Sequence, residues 1–374
     1  MERPRSLTNP VHYDVTILGG GPAGNAAALS LKRLRPSLKV LVVEASRNHQ
    51  WQVGETLSPG CKSILQSLGC WEPFRAECFI ESFGTSSAWG NDRASDNEFI
   101  FSLGGSGYHV DRLRFEHLLS NCSQQAGAEL LSGFHVAAQE FAGGHGWHLT
   151  LRSPSSIQQV ETHFVVDATG RSASFAVQNG AHRMADDRLM GVFTRFTFPS
   201  GLAPKDPRTL IEAQQDGWWY SALTPDACIV VAWMSDADLI RTRALHLATN
   251  WVEHLHRSRL TSARVTQGKP ELPPRLQAAQ SQILTRTSGP GWVATGDAAT
   301  ALDPLSSQGI LKALRTGKLA SFVALDALTG RPSTQSRYDA LLVRDYEQFK
   351  ETKTWFYSQE QRWAQSPFWS RRRA

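Results

Sequence analysis

The sequence lacks the features that would place the chain in a membrane, outside the cell or around a metal ion. None of its apolar runs approaches the length of a transmembrane helix, and the opening residues, MERPRSLTNP, contain no apolar segment of a secretory signal. The five cysteines form no CxxC pair, and the twelve histidines show no HxxxH or Cys/His spacing. We therefore expect a cytoplasmic protein with buried, reduced thiols, no metal and no membrane contact.

A strong excess of charge of either sign is also absent. The net charge is +5, and the one basic cluster, Arg371 to Arg373, stands at the end of the sequence. A net charge this small does not favour a nucleic-acid partner, and we expect the basic cluster at the end of the sequence to be solvated. The 374 residues are 41% hydrophobic, which is enough to bury two cores.

The strongest pattern is a dinucleotide-binding βαβ unit at 13–45. An apolar strand runs into GGGPAG, a helix follows at once, and a second apolar strand ends at Glu44. The glycines allow the tight turn, the close approach to a pyrophosphate and the packing of helix on strand, while N–H groups at the helix start point at the phosphates. Glu44 can accept hydrogen bonds from ribose hydroxyls. The predicted cofactor-binding residues of this unit are Gly19, Gly21, Pro22, Ala23, Gly24, Glu44 and Ala45.

A second stretch, 291–320, predicts another contact with the same cofactor. A short strand leads to Gly296 and Asp297, and DPLSSQG leads into a long helix. An aspartate after a strand can hold a ribityl hydroxyl, and N–H groups at a helix start can stabilise negative charge on a reduced isoalloxazine ring. The residues predicted to contact the cofactor here are Gly296, Asp297, Gln308, Gly309 and Ile310.

Two further charged residues stand near predicted helix starts. Glu55 lies in a loop ahead of a helix, where it is either a site residue or an N-terminal helix charge. Asp111 can cap the next helix, whose first turn holds Arg112. The helix dipole disfavours an arginine there, so either a nearby phosphate explains Arg112 or it is a surface residue.

Apolar runs at 191–198 and 228–234 predict a second sheet, and between them lie Trp218, Trp219 and Tyr220. Three consecutive aromatic rings cannot share one face of a strand, so at least one should line a cavity. His109 is the best titratable acid–base candidate because its ordinary pKa lies near neutrality, with a structural histidine as the alternative. The predicted catalytic residues are Glu55, His109 and Trp219, and the predicted pocket also includes Trp89, Trp218 and Tyr220.

The last segment, 336–374, has a helical pattern of apolar residues followed by a series of aromatic ones. Amphipathic packing over the substrate domain is one interpretation. The other is a docking surface for a protein or peptide substrate, because exposed aromatic rings beside arginines are typical of an interface hot spot.

Three motifs in this order resemble the FAD signatures of the glutathione-reductase-type flavoprotein monooxygenases: GGGPAG with Glu44, DATGR at 167–171, and GDAA with a following DP at 296–304. The resemblance implies an FAD cofactor and an α/β fold similar to p-hydroxybenzoate hydroxylase, with a Rossmann-like three-layer domain, an inserted mixed β-sheet and C-terminal helices. It also implies that Arg112 and the backbone of Val136 contact FAD and that Asp297 holds the ribityl chain.

The same resemblance implies the domain boundaries. The FAD-binding domain is expected to be discontinuous, at 1–80, 105–185 and 285–330. The substrate-binding sheet domain is expected at 81–104 and 186–284, and a C-terminal helical segment at 331–374.

A narrower resemblance is carried by VGETLSPG, SSAWG, GYHVDR and DPLSSQGI. These runs are similar to the flavin-dependent tryptophan halogenase-like group, and within it to the LodB-like and QhpG-like flavoproteins that hydroxylate a protein tryptophan during tryptophylquinone maturation. Halogenases of the group use a lysine soon after the GE motif and a glutamate in a PLESTGI-like run. Here 75–90 contains no lysine, Ser306 replaces the glutamate, Tyr220 replaces the second Trp of their WxWxIP motif, and Lys62 lies too close to Glu55 to substitute.

The resemblance therefore implies hydroxylation of an aromatic ring, with indole as the best candidate, through a flavin C4a-hydroperoxide on a tryptophan of a peptide or protein. Two alternatives stay open: a halogenase or hydroxylase of a free small aromatic, and an FAD-dependent dehydrogenase or reductase. Because no second GxGxxG exists for NAD(P)H, electrons would come from transiently bound NAD(P)H or from a separate flavin reductase.

Overall fold

The computed structural model describes residues 10–46, 53–99, 104–330 and 333–373. In chain order the strands are β1 (Val11–Leu18), β2 (Val40–Glu44), β3 (Thr56–Leu57), β4 (Ile80–Ser82), β5 (Gly84–Ala88), β6 (Ser95–Glu98), β7 (Gly107–His109), β8 (Glu129–Ser132), β9 (His135–Phe141), β10 (Trp147–Arg152), β11 (Ile157–Asp167), β12 (Arg183–Ala185), β13 (Leu189–Thr197), β14 (Thr209–Gln214), β15 (Gly217–Leu223), β16 (Ile229–Asp236), β17 (Lys269–Pro270), β18 (Arg275–Ala278), β19 (Gln282–Leu284), β20 (Ser288–Gly289), β21 (Trp292–Ala294) and β22 (Thr300–Ala301). The α-helices are α1 (Pro22–Leu34), α2 (Cys61–Leu68), α3 (Trp71–Ala76), α4 (Arg112–Gln125), α5 (Ser174–Gln178), α6 (Ala237–Thr242), α7 (Ala248–His256), α8 (Leu260–Arg264), α9 (Gly309–Leu328), α10 (Ser333–Ser358) and α11 (Pro367–Ser370).

The first large sheet contains the predicted nucleotide-binding strands. Its order is β20-β21-β11-β1-β2-β8, and β10 and β9 extend it from β11. Strands β21, β11, β1, β2 and β8 run parallel. Their near-continuous apolar sequences suit strands covered on both faces, and Val15, Ile17 and Val42 are buried in the core. The predicted βαβ unit is therefore confirmed at β1-α1-β2.

Glycines bring α1 and α9 into close contact with their neighbours. A Cβ on Gly24 would lie 1.9 Å from the carbonyl oxygen of Gly19, and one on Gly317 would lie 2.2 Å from that of Ala23. Only glycine permits such an approach. Helix α1 begins at the carboxyl end of β1, which is where open α/β sheets bind ligands. The first residues of α9 line the same cleft as the first residues of α1.

The second large sheet has the order β17-β13-β16-β15-β14-β5-β6, and β18 also pairs with β13. Its pairs are antiparallel except for β14 with β5, so the sheet is mixed, as expected. Side chains alternate between its two faces. Trp219 packs with Trp251 on one face, whereas Trp218 packs with Phe193 on the other.

Helix α10 packs against both large sheets. Tyr338 and Leu342 join the core of the first sheet, while Tyr357 joins that of the second. The interpretation of amphipathic packing over the substrate domain agrees with the position of Tyr357, whereas the packing of Tyr338 and Leu342 on the first sheet was not predicted. Trp355 remains 58% exposed on the outer side of the helix.

The prediction that the C-terminal basic cluster is solvated is wrong for Arg372, which is buried, whereas Arg371 is exposed. Arg372 is only 7% exposed, donates to Oδ1 of Asp236 at 2.6 Å, and places its guanidinium carbon 3.7 Å from the ring centroid of Phe368. Arg371 pairs with Asp236 and Asp238, each at 2.8 Å. The sequence did not reveal these carboxylates as partners because they lie in a distant segment.

The cysteines in the described chain are all free, but they are not all buried. Cys61, Cys70 and Cys228 are buried, Cys122 is half-buried and Cys78 is exposed, so the expectation of a buried thiol is wrong for Cys78. Within the described ranges, none of the helices combines the length and apolarity that crossing a bilayer requires.

One surface group combines side chains that can bind metals. The ligand atoms of His12, Asp14 and His163 all lie within 4.8 Å of one another. The residues come from the neighbouring strands β1 and β11, so a spacing motif within one segment of sequence does not detect the group. The Nε2 atoms of His12 and His163 are 3.1 Å apart, and the Asp14 carboxylate accepts from the N–H of Lys39 at 2.7 Å. These contacts within the protein account for the three groups.

Candidate active site

A cleft between the two large sheets collects most of the predicted site residues. Its volume is about 360 Å³, which lies within the range of about 300–1,000 Å³ that is usual for small-ligand pockets. Its walls come from the starts of α1 and α9, the loop before β3, and the second sheet. The predicted residues that line it are Gly21, Pro22, Ala23, Glu55, Arg112, Trp218, Tyr220, Asp297, Gly309 and Ile310.

The start of α1 can hold an anion. Gly21 is the N-cap, with φ −72° and ψ −174°, no side chain caps the helix, and its first turn holds no acidic residue. A Cβ on Gly21 would meet no atom within 4 Å, so free space lies in front of the N–H groups. Gly19 makes the preceding turn at φ +109°, a conformation that favours glycine. Unpaired N–H groups and the helix dipole favour a phosphate at this position.

Glu44 stands at the end of β2, beside this turn. Its carboxylate accepts from the N–H groups of Gly20 at 2.7 Å and Ser46 at 2.9 Å. Ala45 follows Glu44 directly in the sequence. Each oxygen keeps a further lone pair for a ribose hydroxyl. Val136 is partly buried against the core of the first sheet and is not among the described residues of the cleft wall.

The start of α9 faces the same cleft. Its N-cap, Gln308, makes no side-chain capping bond, and its first turn holds no acidic residue. Gly309 and Ile310 line the cleft, whereas Gln308 is exposed outside the wall. Asp297 also lines the cleft, and Nζ of Lys312 lies 2.6 Å from its Oδ1. Burial raises the pKa of Asp297, but the ammonium of Lys312 outweighs this effect and holds the pKa below its ordinary value.

Arg112 opens α4, as predicted. The carboxylate of Asp111 caps the helix by accepting from the N–H of Arg114 at 2.9 Å. The Arg112 side chain is 16% exposed and pairs with Glu116 at 2.7 Å. It is therefore not a free surface arginine, and its charge acts on the carboxyl groups of the cleft.

These residues fit FAD. Two uncapped helix starts without acidic residues meet at one cleft, and such helix ends bind anions such as a pyrophosphate or a reduced flavin ring. Arg171 also lines the cleft, and its buried Nε has no hydrogen-bond partner in the part of the chain that the structure describes. A ligand oxygen would provide one. Gly296 serves the packing behind this wall, since a Cβ there would lie 2.6 Å from that of Ala23.

Glu55 is a buried carboxyl group of the cleft wall. It is 2% exposed, and its Oε2 accepts from the N–H of Gly54 at 2.8 Å. Burial raises the pKa of Glu55 above its ordinary value, although the Tyr220 hydroxyl, the N–H of Gly54 and the charge of Arg112 oppose the rise. Because α2 begins only at Cys61, Glu55 is not a charge of that helix's first turn.

His109 lies behind the cleft wall. Its Nδ1 is 3.2 Å from the hydroxyl of Thr56, and its Nε2 is 2.6 Å from the carbonyl oxygen of Pro207. Burial lowers the pKa of His109 to about 4. The charge of Arg264 acts in the same direction, whereas the hydrogen bond to Pro207 opposes the shift. His109 is fully buried with both ring nitrogens in contact with protein groups, so the structure favours the alternative, a structural histidine, over an acid–base role.

Trp219 points away from the cleft. Side chains alternate along β15, so Trp218 and Tyr220 face the cleft while the Trp219 ring packs 5.5 Å from that of Trp251. The assignment of Trp219 as catalytic is therefore wrong, whereas the expectation that at least one of the three rings lines a cavity is confirmed. Trp89 packs beside Trp218, with their ring centroids 6.4 Å apart.

A polar network that no sequence pattern indicated joins the C-terminal helix to the cleft. The indole N–H of Trp218 donates to the hydroxyl of Tyr357 at 3.1 Å, which donates to Oδ2 of Asp303 at 2.9 Å. Asp303 lines the cleft, and burial raises its pKa. The DP motif contained Asp303, but Tyr357 stands 54 residues away, so no local pattern connects the two.

None of the described residues that line the cleft is a lysine. The segments that the structure does not describe contain no lysine either. Lys62 is exposed on α2, with its ammonium 5.4 Å from the ring centroid of Trp71, as expected for a surface residue. Lys312 is held by Asp297 and by the carbonyl oxygen of Thr300. The cleft therefore presents aromatic rings, carboxyl groups and arginines to a substrate.

Two comparisons of the sequence with known proteins agree with this geometry. Residues 14–107 and 91–374 match the tryptophan halogenase family. The chain is also 30% identical over 366 residues to the FAD-dependent oxidoreductase LodB of Marinomonas mediterranea, a match that covers 97% of each protein.

Solved structures share the fold. The flavin-dependent halogenase CmlS has a TM-score of 0.86 and 24% identity, over 97% of this chain and 68% of CmlS. The peptidyl tryptophan dihydroxylase QhpG has a TM-score of 0.75 and 23% identity, over 97% of this chain and 79% of QhpG. The cleft, the two helix starts and these matches lead to one conclusion: the chain belongs to the tryptophan halogenase family and is an FAD-dependent oxidoreductase.

Proposed function

We propose that this enzyme hydroxylates the indole ring of a tryptophan in a peptide or protein. The observation that carries the proposal is the cleft wall, where Phe193, Trp218 and Tyr220 offer aromatic surface and where none of the described lining residues is a lysine. LodB, at 30% identity, is an FAD-dependent oxidoreductase, and QhpG, which shares the fold, is a peptidyl tryptophan dihydroxylase. The shared fold of QhpG supports a protein-bound tryptophan as the substrate, and the similarity to LodB supports the FAD-dependent oxidation.

The proposed reaction breaks the O–O bond of dioxygen and forms one C–O bond on the ring. One oxygen atom replaces a ring hydrogen as a hydroxyl group, and the other leaves as water with two electrons and two protons. FAD, when bound, supplies the activation of dioxygen that no amino-acid side chain provides. NAD(P)H supplies the two electrons, either directly or through a separate flavin reductase, since the chain has no second GxGxxG.

The chain's own residues orient the substrate and exclude water. Phe193 and Trp218 can pack on the indole faces, and holding reactants in this way contributes up to about 7–11 kcal/mol in favourable cases. The buried side of the cleft keeps water away from the reacting atoms. The N–H groups at the start of α9 stabilise negative charge beside the substrate.

Halogenation of a free small aromatic is the second candidate. Membership of the tryptophan halogenase family favours it, and so does the fold shared with the halogenase CmlS. The residues present oppose it, because Ser306 stands where the family resemblance implies a glutamate and because no lysine lines the described cleft.

A product assay with halide distinguishes the two candidates. The FAD-loaded enzyme, NADH and a flavin reductase are mixed with free tryptophan or a tryptophan-containing peptide, with and without bromide, and the products are identified by mass spectrometry. We expect an oxygenated peptide whose yield is the same with and without bromide. A brominated product would overturn the proposal in favour of the second candidate.

A further inference from the structure

Three buried side chains form a hydrogen-bonded series behind one wall of the cleft. The indole N–H of Trp218 lies 3.1 Å from the hydroxyl oxygen of Tyr357, and that oxygen lies 2.9 Å from Oδ2 of Asp303. Oδ1 of Asp303 accepts from the N–H of Leu305 at 2.9 Å, so the carboxyl group is itself held in place. Trp218 and Asp303 line the cleft, whereas Tyr357 is not among the described lining residues. Tyr357 therefore joins two parts of the wall from behind.

The chemistry of the three groups fixes the direction of the first contact. An indole N–H can only donate, so the hydroxyl oxygen of Tyr357 accepts from Trp218. The one proton of this hydroxyl then points to Oδ2 of Asp303. Trp218 and Tyr357 have no exposed surface, so water does not readily replace either partner, and an unpaired buried N–H is costly.

This contact determines how the Trp218 ring is turned. The position on β15 decides which face of the sheet the side chain occupies, but the torsion about the Cβ–Cγ bond of a tryptophan is broad, with two main orientations. The hydrogen bond to Tyr357 selects the orientation in which the N–H edge lies behind the wall. Trp218 therefore presents ring carbon atoms, and no hydrogen-bond donor, to the cleft.

The end of α10 also holds a second tryptophan against the first. The indole N–H of Trp89 donates to the carbonyl oxygen of Phe356 at 2.8 Å. The Trp89 ring centroid lies 5.7 Å from that of Tyr357 and 6.4 Å from that of Trp218. Two consecutive residues of α10 thus fix two neighbouring indole rings, so this helix determines the shape of the aromatic wall.

We infer that Tyr357 is a positioning residue of the active site, which holds the Trp218 ring in the orientation that the substrate meets. Aromatic rings pair in offset-stacked or edge-to-face arrangements, so a turned Trp218 would offer a different seat to another ring. The orientation of Trp218 does not depend on the reaction. Its use, to seat the indole ring of the substrate, rests on the proposed function.

Indole N–H resonances of the FAD-loaded, nitrogen-15-labelled protein test the inference without substrate. The chain has twelve tryptophans, and the resonance of Trp218 is the one that disappears in Trp218→Phe. Tyr357→Phe keeps the ring and removes the acceptor. We expect the Trp218 resonance to move upfield in this variant, and its hydrogen to exchange with deuterium at least about tenfold faster.

Tyr346→Phe is the matched control. Tyr346 is also buried on α10, and its hydroxyl donates to Oδ2 of a different carboxylate, Asp186, at 2.8 Å. This variant should leave the Trp218 resonance at its wild-type position. The Trp89 resonance should stay in place in both tyrosine variants, because its acceptor is a backbone carbonyl group. Wild-type affinity for FAD would show that both variants are folded.

Turnover of a tryptophan-containing peptide tests the use of this orientation. We expect Tyr357→Phe to raise the KM for the peptide at least about fivefold, with unchanged FAD affinity, and Tyr346→Phe to keep the wild-type KM. An unmoved Trp218 resonance in Tyr357→Phe would overturn the inference, and so would an equal movement in Tyr346→Phe or an unchanged KM in Tyr357→Phe. If the wild-type enzyme formed no hydroxylated peptide, the proposed function would fail, and the resonances recorded without peptide would still decide whether Tyr357 positions Trp218.

Discussion

Replacing Gly21 with valine is expected to abolish FAD binding without unfolding the protein. A side chain at Gly21 would meet no protein atom within 4 Å, and φ −72° suits an L-amino acid, so the fold has room for it. The same space lies in front of the N–H groups at the start of α1, where a phosphate would bind. We expect an affinity for FAD at least about 100-fold lower, or about 2.8 kcal/mol, measured by titration of flavin fluorescence.

Gly144→Val is the matched control for this substitution. An added Cβ at Gly144 also meets no atom within 4 Å, but this residue lies in the exposed 3-10 helix Gly143–His145 between β9 and β10. Both variants should melt near the wild-type temperature, and only Gly21→Val should lose FAD. Wild-type affinity in Gly21→Val would contradict the placement of the cofactor at α1.

Replacing Arg372 with alanine is expected to destabilise the protein strongly. The side chains of Arg372 and Asp236 are 3% and 2% exposed, and their ion pair is 2.6 Å long. Removing the arginine leaves a buried carboxylate with less compensation and also removes a guanidinium stacked on Phe368. Breaking a buried pair in this way costs about 3–5 kcal/mol, which chemical denaturation of the variant would measure as a lower free energy of unfolding.

Arg371→Ala is the control that removes the same charge from an exposed position, so it shows how much of the loss of stability depends on burial. Arg371 also pairs with Asp236, but its side chain is 42% exposed, so solvent screens the interaction and the expected loss is at most about 1 kcal/mol. Similar small losses in both variants would show that the C-terminal residues do not stabilise the fold through the buried pair.

The helix starts at the cleft could be predicted because their determinants are local in sequence. GGGPAG places Gly21 at the N-cap of α1 immediately after β1, since only glycine allows the contact between Gly24 and Gly19. In the same way, Asp297 follows the short strand β21, and Gly309 begins α9 a few residues after the DP motif. The chain order alone therefore brought these groups to one edge of the sheet.

The substrate side of the cleft depends on contacts that sequence patterns do not contain. Trp218 and Trp219 lie on opposite faces of β15. The alternation of side chains along a strand shows that the two differ, but it does not show which of them faces the cleft. The structural position of His109 depends on its burial and on its contact with Pro207, 98 residues away. Arg372 was predicted to be solvated because Asp236 lies 136 residues away.

The most direct test of the proposed function is the origin of the oxygen in the product. The FAD-loaded enzyme is supplied with reducing equivalents, isotopically labelled dioxygen and bromide, together with a tryptophan-containing peptide or free tryptophan, and the products are fragmented in a mass spectrometer. We predict that labelled oxygen enters the indole ring of the peptide tryptophan and that bromine does not. A brominated ring, unlabelled oxygen in the product, or reaction with free tryptophan alone would contradict the proposal.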